Sequence, residues 1–245
     1  DIEEKFDVDV SLKENIQKKQ DTIDAVRGLI EDGANLIFGH SSTYGKFFVD
    51  IAAYYPDTHF IYFNGDVADD NLTSLNFNAH AMGFFAGMVA GKMTQTDQVG
   101  IIAAYEWQPE VEGFYEGVKY FDPNIGVHIN FVESWGEIPT VVDLYHNMRE
   151  EGSDVFYPTG DAFSENVIKL AAKDGLYAIG YGTDQSSINQ STVLTSTVQH
   201  VDQLYTYAAE QFNRQDLEGE ILTFDFKEDV ISLGAFSPDV PEQFI

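Results

Sequence analysis

The chain contains no cysteine, which excludes a disulfide framework and any thiolate metal site. Basic residues are scarce: 13 Lys plus Arg stand against 41 Asp plus Glu, a formal charge of −28. Nonspecific affinity for duplex DNA comes from Lys and Arg displacing counterions from the phosphates, so such a surface repels nucleic acid, and no direct nucleic-acid partner is expected. Long apolar runs are missing too. The longest, such as Phe60 to Phe63 and Val99 to Ala104, fall far short of the roughly 20 residues that cross a bilayer. No positively charged start leads into a hydrophobic core, so no signal peptide is read in the sequence.

Catalytic and cofactor signatures are equally sparse. The six histidines, at 40, 59, 80, 128, 146 and 200, never fall at the helical spacing that puts two imidazoles on one face for a metal. His40-Ser41-Ser42 invites a nucleophile reading, but no G-x-S-x-G elbow accompanies it. Neither glycine-rich phosphate cradle occurs; Gly180-Tyr-Gly182 alone is too little. The carboxylates Glu106, Glu110, Glu112 and Glu116 read as an acidic helix start favoured by the helix dipole. No enzyme and no cofactor are therefore expected.

What the chain does have is alternation. With 44% apolar and 14% aromatic residues over 245 positions it can bury a sizeable core. Asn15 to Asp32 places Ile16, Ile23, Val26, Leu29 and Ile30 on one helical stripe, with Gly33 as the stop. Strand Ala34–Phe38, helix Thr43–Tyr54, strands Thr58–Asn64 and Asn71–Phe77 and helix Ala79–Met93 follow. A second series runs strand Gln98–Tyr105, helix Pro109–Phe121, strand Val127–Glu133, helix Pro139–Glu151, strand Asp154–Pro158 and helix Phe163–Asp174. Strands Tyr177–Tyr181 and Thr192–Ser196, helix Val201–Asn213 and a final strand or pair within Ile221–Phe236 complete it. Phe6 to Val10 alternates apolar and acidic residues and reads as a strand. Strands alternating with helices predict an α/β fold built of parallel sheets.

Leu176 to Asp202 carries the strongest signal. Tyr177-Ala-Ile-Gly180, then Thr183-Asp184-Gln185, Val193-Leu-Thr-Ser196 and Val201-Asp202 follow one another in an order that resembles the basic membrane protein (BMP) family of extracytoplasmic purine-nucleoside-binding lipoproteins. Gly83-Phe84-Phe85-Ala86-Gly87, the helix containing Pro109, Val111, Phe114 and Gly117, and Gly152 to Tyr157 with Gly160 match further parts of the family pattern, from about Gly33 almost to the end. The resemblance implies two doubly wound parallel-sheet lobes of the type I periplasmic-binding kind, with crossovers near 76–79, 182–184 and 219–222. Lobe 1 would comprise residues 1–77 plus 184–221, and lobe 2 residues 78–183 plus 222–245, with ligand held between them. It also implies a first strand-helix unit and a lipidated leader upstream of Asp1, and a membrane-anchored, extracytoplasmic location.

Ligand contacts are expected where strands end. A purine is a flat disc with polar edges, so aromatic faces beside a carboxylate suit it. Candidates are His40, Ser41, Tyr44, Phe77, Tyr105, Trp107, Trp135, Gly160, Asp161, Phe163, Asp184, Gln185 and Gln199. Two positions depart from the family's nucleoside binders, which carry an aspartate where Gly182 stands and a lysine where Gln199 stands. The expected partners are a small molecule of purine nucleoside type and a membrane permease or signalling protein. The competing reading is a DNA-contacting regulator: sugar-responsive repressors share this architecture but place a helix-turn-helix ahead of it, and no basic reading helix is present in this sequence.

Overall fold

The apolar runs become strands and the amphipathic stretches between them helices, in the order that crossover connections require. The computed structural model describes residues 2–16 and 18–245. The first half runs α1 (Ile2–Phe6), α2 (Lys19–Glu31), β1 (Leu36–Gly39), α3 (Thr43–Ala52), β2 (His59–Phe63), β3 (Leu72–Phe77), α4 (Ala79–Met93), β4 (Gln98–Ala103) and α5 (Pro109–Phe121). The second runs β5 (Gly126–Phe131), α6 (Ile138–Glu150), β6 (Val155–Thr159), α7 (Ser164–Asp174), β7 (Tyr177–Gly182), β8 (Val193–Gln199), α8 (Val201–Arg214), β9 (Ile221–Phe224) and β10 (Ile231–Leu233).

Two units result. The first joins Asp1–Phe77 with His200–Val230, and the second joins Asn78–Gln199 with Ile231–Ile245. In the first, four parallel strands lie in the order β1-β2-β3-β9. All five residues of β2 are buried, as a central parallel strand covered on both faces demands. Val26, Ile37, Phe48, Phe60, Tyr62 and Leu72 form the core beside it. In the second unit the order is β10-β8-β7-β6-β4-β5, parallel except for antiparallel β10. Its core includes Ile102, Val141, Tyr145, Phe156 and Val167.

Three expectations change. Phe6 to Val10 is not a strand: Phe6 ends α1, Asp7 sits at φ 53, and Val8 and Val10 are 41% and 56% exposed, so the alternation has no sheet to serve. The helix expected from Asn15 opens only at Lys19; Asn15 has a left-handed φ of 60, and Gln17, like Asp1, lies outside the described residues. The stretch 184–199 belongs with the second unit, because β8 pairs in parallel with β7. Residues 222–230 belong with the first, where β9 pairs with β3.

One packing contact fixes much of the second unit. A methyl group added at Gly83, Gly87, Gly113 or Gly117 would lie closer than 3.0 Å to, respectively, the backbone of Glu110, of Phe114, of His80 and of Phe84. Helices α4 and α5 therefore meet backbone to backbone, with no side chain between them. Gly113→Ala is expected to destabilise the protein by about 1–3 kcal/mol, since its neighbours are main-chain atoms that cannot swing aside. Gly28→Ala, inside α2 with nothing within 4 Å, is expected to stabilise it by about 0.5–1 kcal/mol. Urea denaturation midpoints of the two variants should move in opposite directions.

Candidate functional site

Parallel strands deliver all their carboxyl ends to one edge of a sheet, which is where open α/β sheets bind ligands. In the second unit that edge carries the residues after β4 (Tyr105, Trp107), β5 (Trp135), β6 (Gly160, Asp161, Phe163), β7 (Asp184, Gln185) and the end of β8 (Gln199). In the first unit it carries His40, Ser41 and Tyr44 after β1, and Phe77 at the end of β3.

Three of the expected aromatics come together. Tyr105 stacks on Trp107 with ring centroids 5.4 Å apart and planes 14° apart. Trp135 meets both edge-on, at 5.3 Å and 6.0 Å. Trp107 is 59% and Trp135 40% exposed, so the cluster is a shelf offering aromatic surface to the solvent. Asp161, exposed, is the carboxylate on the same edge, in the loop after β6. Its Oδ1 lies 3.6 Å from where a Cβ on Gly182 would stand. A side chain at 182 is disfavoured by the left-handed φ of 79, and Asp161 places a carboxylate beside that vacancy in the sequence pattern.

Several other candidates turn out to be framework. Phe163 is fully buried in the core, and its ring closes over Gly160, where a methyl would collide with it. Phe77 is 6% exposed. Gln185 takes the Tyr181 N–H at 3.0 Å and donates to Ser164 Oγ at 2.9 Å, tying β7 to α7. Asp184 accepts from the backbone N–H of Ser186 at 2.9 Å and of Ala235 at 3.1 Å. Burial works against its charge, but those donors prevail and hold the carboxyl below its usual range. Tyr44 stacks on Phe48 and donates to the Ile16 carbonyl at 2.8 Å. Each is a strand-end residue whose polar or aromatic group serves the loop itself. Gln199 is half-buried and points Nε2 at the Met82 sulfur, 3.8 Å away.

In the first unit Ser41 Oγ bonds to Thr43 Oγ1 at 3.3 Å, within its own loop. His40 has a different setting. Its Nδ1 lies 3.1 Å from the Tyr205 hydroxyl, its ring runs nearly parallel to that of Tyr205, and Phe63 meets it edge-on at 5.4 Å. Tyr205, on α8, also packs against Phe38 and Phe63. Sequence reasoning missed it because it lies within α8 and meets the strand-end residues His40 and Phe63 only through the fold.

Glu110 is the larger omission. An acidic residue in the first turn of α5 reads as solvated, yet Glu110 is 3% exposed and accepts the Tyr181 hydroxyl at 2.9 Å. Desolvation raises its pKa above the ordinary value, with the Asp161 charge adding to the rise; its own backbone N–H and Tyr181 oppose it. Tyr157, fully buried nearby, shares a hydrogen bond of 2.8 Å with Thr197 Oγ1, and burial together with Glu110 pushes the hydroxyls of both Tyr157 and Tyr181 up. Acid, phenols and threonine thus form a buried polar group that links α5, β6, β7 and β8. None of these groups is paired as nucleophile and base. Among the described residues, no group of three or more His, Asp or Glu is disposed to hold a metal ion.

A carboxyl with a raised native pKa holds its proton more tightly folded than unfolded, so its contribution is full below the unfolded value and is lost as pH rises through the folded one. Glu110→Gln cannot ionise. Its stability relative to the parent is therefore expected to improve as the pH rises from 4 to 8. Urea denaturation of both proteins across that range checks it; a constant difference would contradict the buried-acid assignment.

Comparison with known proteins agrees with this architecture. A transcriptional activator protein, med, of Bacillus subtilis (strain 168) is 46% identical over 243 residues, covering 99% of this chain and 77% of that protein. The crystal structure of a transcriptional activator of the comK gene from Bacillus halodurans superposes with a TM-score of 0.92 at 43% identity, covering 99% of this chain and 86% of that one. A purine-binding protein of Brucella abortus (strain 2308) is 23% identical over 233 residues, 94% of this chain and 66% of its own. The family model described as ABC transporter substrate-binding protein PnrA-like matches residues 1–244. The chain belongs to that Bmp family, whose members are solute-binding and regulatory proteins rather than enzymes.

Proposed function

We propose that this protein is an extracytoplasmic, membrane-anchored receptor that binds an uncharged purine nucleoside without transforming it, and that it promotes competence by way of comK transcription through a protein partner. The observation that carries the reading is the solvent-facing shelf of Tyr105, Trp107 and Trp135 on the strand-end edge that also bears Asp161. Stacked aromatic faces suit a purine ring, and a carboxylate suits the paired hydroxyls of a ribose. Gln199 supplies a neutral amide in place of a cation.

The likeness to the purine-binding protein supports the ligand class, and the likeness to the two activators supports the regulatory role. The charge of −28 supports an indirect route, since this surface opposes duplex DNA. The partner is then a membrane permease or a signalling protein. Relatives among the basic membrane proteins support the membrane location, and no helix of the described residues is itself long and apolar enough to cross a bilayer. The DNA-contacting alternative predicts a shifted comK promoter band at physiological salt; none is expected.

Isothermal titration with adenosine, guanosine and inosine tests the ligand assignment. At least one should bind saturably, its monophosphate more weakly, and Asp161→Asn should reduce the affinity by about tenfold, as loss of a charge-assisted hydrogen bond does. Absence of binding by all three would overturn the nucleoside reading.

A further inference from the structure

A second feature runs from Trp107, at the sheet's strand-end edge, along the flank of the second unit. Between the first half of α5 and edge strand β5 is a cavity of about 400 Å³. Its walls include Trp107, Pro109, Tyr115 and Ile129, with Glu106 and Glu112 among them. Trp107, Tyr115 and Ile129 are 59%, 45% and 37% exposed, an unusual concentration of large apolar surface for one patch. Both carboxylates are exposed, and no basic residue lines the cavity.

Flat aromatic walls with carboxylates between them match one chemical group better than others. A guanidinium stacks its face on an indole or phenol ring and at the same time points its N–H donors outward in the plane, toward carboxylate oxygens. An ammonium would satisfy the charge but not the stacking. A neutral apolar group would leave the carboxylates idle. The surrounding field also selects for a cation: the chain carries −28 overall, and Glu116, one turn beyond Glu112, is joined to His80 at 3.1 Å. Two positive influences face the site. The amino end of α5 contributes a partial charge, which two full carboxylate charges exceed. Lys119 lies over the Tyr115 ring at 5.6 Å and is held by the carbonyls of Pro123 and Ile125; it shows that this ring already accepts a cation.

We propose that this cavity is a docking surface for a basic segment of a partner protein and receives an arginine side chain, with Trp107 as the stacking face and Glu106 and Glu112 as the charge partners. Exposed tryptophan and tyrosine facing arginine is the composition that dominates binding at protein interfaces. The surface shares Trp107 with the aromatic shelf, but its charge partners Glu106 and Glu112 take no part in the nucleoside reading. It would give the indirect regulatory route a physical contact, but it stands whether or not a nucleoside binds.

The test uses the whole chain and an acetylated, amidated tri-arginine peptide, followed by calorimetry and by the fluorescence of the protein's two tryptophans, both of which belong to the aromatic cluster. Saturable binding is expected, weakened about tenfold or more when citrulline replaces arginine, because the neutral isostere keeps the shape and loses the charge. Trp107→Ala and the double variant Glu106→Gln/Glu112→Gln should each lose it, with circular dichroism confirming the fold. The double variant Asp9→Asn/Glu14→Gln removes two exposed charges elsewhere and should bind as the parent does. Equal binding of the citrulline peptide, equal loss in the Asp9/Glu14 variant, or tighter binding of tetramethylammonium than of the peptide would each overturn the proposal. Nucleoside titrations of the Glu106→Gln/Glu112→Gln variant, which leaves the shelf's aromatic rings in place, keep the two assignments apart: nucleoside binding should persist where peptide binding is lost.

Discussion

The backbone-to-backbone contact of α4 with α5 is the constraint on which the second unit turns. Gly83 faces the main chain of Glu110, and Gly113 faces that of His80, so the amino-terminal half of α5 can occupy one place only. That place sets where Glu110 enters the interior and where Trp107, two residues before α5 begins, emerges. A helix pair separated by ordinary side chains would stand 8–10 Å apart, and the same sequence could not then put an acid against Tyr181 and an indole against Tyr105. The glycines that appear in the sequence as mere small residues are what make the strand-end edge a defined surface.

Burying Glu110 carries a cost that must be offset locally. A lone carboxylate in an apolar interior is unfavourable by several kcal/mol after relaxation. Three features reduce that cost: the Tyr181 hydroxyl at 2.9 Å, the amino end of α5 with its free N–H groups, and the raised pKa, which favours the neutral acid. The acid in turn makes ionisation of Tyr157 and Tyr181 harder, so both phenols remain hydrogen-bond donors. Directed hydrogen bonds, from Tyr181 to Glu110 and between Tyr157 and Thr197, thus link α5 to β7 and β6 to β8 in the interior.

Much of the fold could be read from the residues. Pro109 at the start and Asp122-Pro123 at the end delimit α5 at the bounds expected from sequence, and the small residues of α4 mark a close helix contact. Strand partners were less legible. Whether β8 joins the sheet of β7 or that of β3 depends on a crossover that local sequence does not encode, and the parallel pairing of Gly180 to Gly182 with Ser196 to Val198 decides it. Among the candidate residues, Tyr105, Trp107 and Trp135 do cluster at the strand-end edge with both indoles exposed, because aromatics just past strand ends cannot all find interior room. Phe163 does not join them: it has the same sequence context and yet turns inward, filling the space that Gly160 leaves. Glu110 was masked by its neighbours: four acids at a helix start look alike, and only the glycine-driven approach of α4 selects one for burial.

The net charge joins these threads. A field of −28 bears on every encounter of the protein and falls off over about 8 Å at physiological ionic strength. An anionic nucleotide approaching the shelf meets the Asp161 carboxylate with no Lys or Arg among the candidate residues to compensate, so each phosphate adds repulsion. On the proposed reading a neutral nucleoside is indifferent to that field and is selected by stacking together with the hydrogen bonds of Asp161 to its ribose. A basic segment, by contrast, is attracted by it, and the proposed docking cavity sets aromatic faces beside carboxylates. One electrostatic property of the sequence thus bears on both proposals: it opposes phosphates and DNA, leaves a flat neutral ligand to stacking and hydrogen bonding, and favours a cationic segment.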